Sequence, residues 1–493
     1  MKLTLEQIIK TSHCDVLVSP NNSETVLTAL MWDSRQVVPG SLFVAIKGEK
    51  ANGNDYLVEA MEAGAGAVIA SENPSRKVIQ AARDRKVLLV QAKDNDEIKS
   101  LLSLARAWRS NLEGTVVGIT GSSGKTTTKD LIASVGARSF ATHATRGNRN
   151  SEIGLAETIL DATTEHELIV CEMGMQALGE IAQLCEAALP HIGVITNIGV
   201  AHCEQLGSRE NIARAKAELL LSLPNNTGIA ILPGDDPFMP LLCQFAQLDE
   251  RMVSTMTYGL GEQNDIRATH ITYDEMGYPS FRVWMPDGQC HLVSLSLQGE
   301  HNILNALAAM AVGLRIGVAP VSIAQALAAV KPAALRQELL KTTEGDIILN
   351  DTYNANPDSM RAALSLLKRL ATNNLRIAVL GDMYELGNEE VNYHRQIGEY
   401  AFVNGVDELV TVGELGREIA AGALAVGMPQ ERVHRCANVD EALDALKSIR
   451  CQCLSEPAMK NEGNSCIILV KASRGMELER IAQGLNASVN QDV

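Results

Sequence analysis

The chain has 493 residues, too many for one ordinary hydrophobic core, so two to four domains are expected. Hydrophobic residues make up 46% and charged residues 21%, a balance that excludes a disordered chain. The formal net charge of −16 argues against a nucleic-acid surface; any phosphate must be held locally, by backbone amides and a metal.

Aromatics are only 3%, so the cores must be built from Ala, Val, Ile and Leu, which suits α/β layers with buried parallel strands. The segment Met1–Gln7 carries no apolar run resembling a signal peptide, and no segment reaches 18 uninterrupted apolar residues. A cytoplasmic chain without a membrane span is therefore expected. The ten cysteines are scattered, with only Cys451 and Cys453 close together, so reduced thiols are expected rather than a metal site.

In chain order, residues 1–97 alternate short β-like runs (Ser41–Ile46, Ala67–Ala70, Val87–Val90) with helical stretches. This reads as a small α/β domain. From Gly114 a strand, Thr115–Thr120, enters a glycine-rich turn and then a helix. Strands Leu168–Glu172 and Ile192–Asn197 follow at helix-length separations, the pattern of a mostly parallel sheet with crossovers. Thr255–Leu297 reads as hairpin chemistry, an antiparallel portion, before an Ala-rich helix from Asn302 to Ile316. Beyond Lys331 the pattern restarts with Asp346–Leu349, Arg376–Leu380, Glu408–Val412 and Ile467–Val470, a second Rossmann-like unit. The expected domains are 1–97, 98–330 and 331–493. Two open sheets facing each other would form a cleft at the carboxyl ends of their strands.

The strongest motif is Thr120-Gly121-Ser122-Ser123-Gly124-Lys125-Thr126-Thr127. Its glycines let the backbone wrap phosphate oxygens at a helix amino end, with Lys125 on the β/γ-phosphates and Thr126 on Mg²⁺. Ile119 stands where the standard Walker form has its first glycine. Glu172 ends a strand at the same sheet edge, where it can bind Mg²⁺, and His202 follows the next strand as a second candidate ligand. Lys216 lies on the apolar face of its helix, so it is either snorkelling or an amine altered or paired near the site. Asn302 and Asn305, three residues apart on one face, can read a purine edge, or Asn302 can cap its helix. Asp351 is placed to bind a ribose hydroxyl, or to cap the helix after it. Arg336, near the junction, is either a cross-cleft γ-phosphate contact or a surface arginine.

Together these motifs resemble the Mur ligase family over essentially the whole chain. The resemblance implies ATP and Mg²⁺ as cofactors, with Thr126, Glu172, His202 and a carbamylated Lys216 at the metal. Asn302 and Asn305 would then face adenine, Arg336 the γ-phosphate and Asp351 the ribose. The run Asp33–Gly48 is similar to the family's UDP-binding domain, which points to Ser34, Arg35 and Lys47 as substrate contacts. Tyr353–Ser359, Leu380–Gly387 and Lys471–Glu477 resemble the dipeptide-adding branch, and no Asp-Asn-Pro-Arg run of the diaminopimelate-adding branch is present. Asn148, Asn150, Tyr353, Asn354 and Asn356 are the corresponding peptide-side candidates. The implied substrates are a UDP-N-acetylmuramoyl tripeptide and D-alanyl-D-alanine, the implied chemistry an acyl phosphate, and the implied state a monomer. Asn52-Gly53-Asn54 departs from the family's Asp-Gly-His, Asn148–Ser151 from its Asn-x-Asn-Asn, and Ala472 from its Lys-Gly-Ser-Arg.

Overall fold

A computed structural model describes residues 3–20, 22, 24–48, 51–371, 374–455 and 466–489. Met1 and Lys2 of the leader reading, and the Cys453 side chain, lie outside the described residues. Three α/β units follow one another. In the first, strands β1 (Cys14–Val18), β2 (Ala29–Met31), β3 (Ser41–Val44), β4 (Ala67–Ala70) and β5 (Leu88–Ala92) form one sheet in the order β1-β5-β4-β3-β2. Only β1 runs antiparallel to its neighbour.

The central sheet has nine strands: β6 (Thr115–Thr120), β7 (Thr142–Ala144), β8 (Leu168–Glu172), β9 (Ile192–Ile195), β10 (Ile229–Pro233), β11 (Ser254–Gly259), β12 (Ile266–Tyr273), β13 (Pro279–Trp284) and β14 (Cys290–Ser294). Their order is β14-β13-β12-β11-β10-β9-β6-β8-β7. The chain winds outward from β6 first to one side and then to the other, so β6 and β9 bound a topological switch point, where open α/β sheets bind ligands. Every residue of β8 and β9 is buried, which is why these strands read as continuous apolar runs. Strand β11 pairs in parallel with both neighbours, and the antiparallel portion begins only at β12 and β13. The antiparallel reading from Thr255 therefore starts one strand too early.

The third unit orders its strands as β19-β18-β17-β20-β16-β15-β21, with β15 (Glu338–Thr342), β16 (Ile347–Asn350), β17 (Leu375–Gly381), β18 (Glu408–Val412), β19 (Val433–Cys436), β20 (Cys466–Lys471) and β21 (Ala487–Val489). β20 lies between β16 and β17 and pairs in parallel with both, which sets Lys471 at the carboxyl edge next to the loop that follows β16. Separate apolar clusters pack against the sheets of the first and third units, among them Phe43, Val68 and Leu89 in one and Leu349, Leu380 and Leu409 in the other. Among the described residues, no helix is long and apolar enough to cross a membrane.

Candidate active site

Strand β6 delivers Thr120 to the sheet edge, where Gly121–Gly124 turn into helix α1 (Lys125–Gly136). Gly124 caps that helix at φ 79°, a conformation that favours glycine. Residues after β9 brace the turn from the side. Thr196 Oγ1 donates to Ser123 O at 2.6 Å, Asn197 Oδ1 accepts from Ser123 N at 3.0 Å, and Ser122 Oγ accepts from Gly199 N at 2.8 Å. Motif reading missed Thr196 and Asn197. Their signal was a polar pair placed directly after an apolar strand, at the same edge as the loop.

Lys125 Nζ donates to Gly121 O at 2.7 Å. Desolvation lowers its pKa, with Glu172 opposing and Arg336 adding to the shift. Thr126 Oγ1 donates to Glu172 Oε1 at 3.0 Å and stands 3.1 Å from Arg336 Nη2, which donates to it. Glu172 Oε1 also accepts from Asn150 Nδ2 at 2.8 Å, while the buried Oε2 has no hydrogen-bond partner among the described residues. A buried, orphaned carboxylate oxygen beside a hydroxyl is a costly arrangement unless a cation joins it, and hard oxygen donors suit Mg²⁺. Lys216, on helix α2 (Arg209–Leu221), is 1% exposed, so it does not snorkel. Burial, and then Lys125, hold its amine well below the ordinary lysine pKa. These residues fit a metal site. His202 lines the same cavity, but its Nδ1 stands 2.7 Å from Glu385 Oε2 of the third unit. Among the described residues, no group of three or more His, Cys, Asp or Glu is gathered as a ready-made metal cage.

The cavity has a volume of about 820 Å³ and is walled by the phosphate loop on one side and by third-unit residues on the other. Helix α3 (Glu300–Arg315) begins two residues before the expected start and is capped by Gly299, so the capping alternative for Asn302 is wrong. Asn302 Nδ2 donates to Gln298 O at 2.8 Å and Asn302 Oδ1 accepts from Asn305 Nδ2 at 2.9 Å. Asn305 Oδ1 accepts from Thr128 Oγ1 at 3.2 Å, which ties this helix to the phosphate-loop helix. Asp351 does not cap a helix either. Helix α4 (Pro357–Leu370) is capped by Asn356, while Asp351 Oδ2 accepts from the buried Lys471 Nζ at 2.6 Å. Lys471 also donates to Asn354 O at 2.9 Å. Arg336 is no free surface arginine: its Cζ lies 3.9 Å from the centroid of the Tyr353 ring, and the Tyr353 hydroxyl accepts from Asn148 Nδ2.

Models of three Mur ligase domains match the chain: the family's catalytic domain at residues 27–105, the middle domain at 119–313 and the glutamate ligase domain at 335–453. The chain is 37% identical to the UDP-N-acetylmuramoyl-tripeptide–D-alanyl-D-alanine ligase of Bacillus subtilis, over 95% of each chain. The chain belongs to the Mur ligase family. It is 32% identical to the Escherichia coli ligase of the same name, over 94% of each. Among solved structures, MurF from Acinetobacter baumannii superposes with a TM-score of 0.85 at 29% identity, covering 98% of this chain and 99% of that one. The MurF ligase of Thermotoga maritima, solved in complex with ADP, gives 0.76 at 28% identity over 93% and 97%. The three-domain α/β architecture of this Mur ligase thus follows that of its structural neighbours.

In the first unit of this Mur ligase, Ser34 Oγ donates to Glu59 Oε1 at 3.1 Å, the exposed Arg35 pairs with Asp33 at 2.7 Å, and Lys47 Nζ lies 3.4 Å from Glu72. None of the three lines the large cavity. The departure at Asn52-Gly53-Asn54 has a local explanation. Asn54 Oδ1 accepts from Ser71 N at 3.1 Å and its Nδ2 donates to Ser71 Oγ at 2.6 Å, so it stitches this turn to the end of β4.

Proposed function

We propose that this Mur ligase joins D-alanyl-D-alanine to a UDP-N-acetylmuramoyl tripeptide, driven by ATP and passing through an acyl phosphate. The observation that carries the reading is the cross-cleft contact of Arg336 with Thr126, which sets a third-domain cation beside the phosphate loop. The tripeptide carboxylate attacks the γ-phosphorus and ADP leaves. The dipeptide amine then attacks the acyl carbon, and the tetrahedral intermediate collapses to amide and inorganic phosphate.

Backbone amides of Gly121 and Gly124, with those of Lys125, Thr126 and Thr127 in the first helical turn, cradle the phosphates, while Ser122 and Ser123 hold the turn in shape through Gly199 and Asn197. Lys125 and Arg336 stabilise charge growing on the transferred group. Asn302 and Asn305 take the adenine side and Asp351 the ribose, with Lys471 holding that carboxylate in place. Ser34, Arg35 and Lys47 serve the uridine diphosphate. Asn148, Asn150, Tyr353, Asn354 and Asn356 line the path of the peptide. Thr126, Glu172, His202 and Lys216 would hold Mg²⁺, whose charge offsets that of the phosphates during transfer. Lys216 would do so as a carbamate, formed by addition of its amine to CO₂ with loss of a proton; burial favours the neutral, nucleophilic form of that amine. The working division of the chain is 1–97 for the UDP precursor, 98–330 for ATP and 331–493 for the closing wall.

The test is phosphate release from ATP with UDP-muramoyl tripeptide, with and without D-alanyl-D-alanine, followed by mass analysis. Release that needs both and yields a pentapeptide supports the reading. Release with single amino acids instead assigns a sibling ligase, and ATP binding without release for any acceptor refutes catalysis.

A further inference from the structure

Lys129 is a buried lysine that takes no part in the chemistry above. Its side chain is 2% exposed, and it sits on α1 one turn beyond Thr126. Its Nζ donates to Thr145 O at 2.9 Å and to Gly147 O, and lies 3.1 Å from Asp130 Oδ1. Of these three acceptors the two carbonyls are hydrogen-bonded to the ammonium and the Asp130 carboxylate is its ion-pair partner. Both carbonyls belong to the loop that leaves β7 and enters the helix Glu152–Asp161.

That loop touches all three units. Thr145 Oγ1 accepts from Glu172 N at 3.1 Å, and Asn150 Nδ2 grips Glu172 Oε1. Asn148 donates to the Tyr353 hydroxyl in the third unit, and Tyr353 in turn carries Arg336 on its ring. The Arg149 guanidinium lies 5.7 Å from the centroid of the Trp32 ring in the first unit, and is fixed by Glu157 at 2.6 and 2.7 Å. Arg336 donates back to Thr126, so the path of contacts starts and ends on one turn of α1. Lys129 supplies the charged bond that closes this circuit from the nucleotide side.

We propose that Lys129 is a positioning residue: it sets the Thr145–Asn150 loop in register with the phosphate loop, so that the peptide carboxylate and the γ-phosphate meet. The assignment rests on the ligase reading given above. Loss of the ammonium leaves two loop carbonyls without their donor, and a shift of about 1 Å in a reacting group costs on the order of 10²-fold in rate.

Lys129→Met and Lys129→Arg are compared with the wild type in the full chain. For Lys129→Met, kcat falls about 10²-fold and KM for the UDP-muramoyl tripeptide rises about tenfold, while ADP affinity stays within about twofold. Lys129→Arg recovers part of kcat. Hydrogen exchange of the 145–150 amides rises in Lys129→Met, a readout that needs no turnover. Unchanged exchange there, or a fall in kcat with every KM unmoved, overturns the proposal in favour of a purely structural lysine. If Lys129→Met does not fold, Arg149→Ala, which frees the loop from Trp32 and Glu157, takes its place: raised tripeptide KM with unchanged ADP affinity supports the loop's role, and unchanged KM overturns it. A wild type that makes no pentapeptide refutes the ligase reading instead, and the exchange result still decides whether Lys129 holds the loop.

Discussion

Replacing Gly121 by alanine asks how tightly the phosphate loop is clamped by the chain beyond β9. Gly121 has φ 155°, and a Cβ built there would lie 1.7 Å from Thr196 Oγ1, 3.0 Å from Thr196 Cβ and 3.1 Å from Thr196 N. The backbone conformation alone costs alanine about 1–3 kcal/mol. Thr196 must also rotate away, which breaks its 2.6 Å bond to Ser123 O and strands buried polar groups, for about 1–3 kcal/mol more. Even then the Cβ and backbone contacts push the ends of β6 and β9 apart, an overpacking cost of about 1–3 kcal/mol. These costs overlap because one movement relieves parts of each, so a net loss on the order of 3–5 kcal/mol is expected. For a cooperative unit of about 150–250 residues, that lowers its melting temperature by about 6–20 °C. Thr196→Ala removes the closest atom but neither the Cβ nor the φ problem, so the double variant should be about 1–2 kcal/mol more stable than the two single losses imply. Calorimetry with and without ADP reads both quantities. A Gly121→Ala protein that melts within about 1 °C of the wild type and binds ADP normally would refute the clamp.

Glu172→Gln keeps the acceptor for Thr126 and Asn150 but removes the charge, so turnover should fall about 10²–10³-fold while metal-free ADP binding is retained; steady-state rates alongside ADP titration in a chelator test this. Lys471→Met leaves Asp351 buried without its counter-ion and should destabilise the third unit by about 3–5 kcal/mol in urea titrations, with Asp351→Asn restoring part of the loss. His394 is fully buried and neutral: Nε2 accepts from Met383 N–H at 2.9 Å and Nδ1 donates to Glu390 O at 2.7 Å. Burial depresses its pKa, so its native form is intact above the unfolded value of about 6.5, and stability is lost as pH falls below that value because the unfolded chain binds the extra proton. His394→Gln keeps the acceptor for Met383 and should flatten that acid slope in urea titrations at successive pH values; an unchanged slope removes His394 as its source. ATP association, measured by stopped flow, should quicken as salt rises from about 20 to about 200 mM, because screening weakens repulsion between a −16 chain and a polyanion; slowing would reveal a dominant basic surface.

The phosphate loop was legible because strand, glycines and helix amino end are contiguous, and local geometry alone makes them an anion site. Strand-end carboxylates were legible for the same reason: Glu172 and Asp351 each close or follow an apolar run. What they bond to was not. Asn150, a peptide-side candidate, also holds Glu172 through its amide; Asp351 meets Lys471 at the end of another strand; His202 meets Glu385 in another unit. Spacing reports neighbours on one helix face or one strand face, and these pairs exist only after the crossovers are wound. The early start assigned to the antiparallel portion has a related cause. β11 is only partly buried over Ser254–Thr257, so its residues alternate like those of an antiparallel strand although it pairs in parallel. Alternation reports exposure of one face, not strand direction.

The charge balance explains why the cavity needs help from outside its own side chains. Lys471 is already paired with Asp351, and burial, with Lys125 beside it, disfavours the charged form of Lys216. Lys125 and Arg336 are the cations that touch the phosphate loop, and each lies near Glu172 as well: the carboxylate opposes the desolvation that lowers the Lys125 pKa, and Arg336 shares the Thr126 hydroxyl with it. Two cations beside a carboxylate leave little net positive charge for a triphosphate in a chain that is acidic overall. Backbone amides at the α1 amino end supply part of the difference without adding formal charge. The orphaned Glu172 oxygen marks where a bound cation would supply more. Arg336 stands at the junction to the third unit and is stacked on Tyr353, so opening of the cleft would withdraw one of the two cations together with the wall that carries it. On the ligase reading proposed above, charge complementarity toward the γ-phosphate would depend on the third-unit wall that carries Arg336.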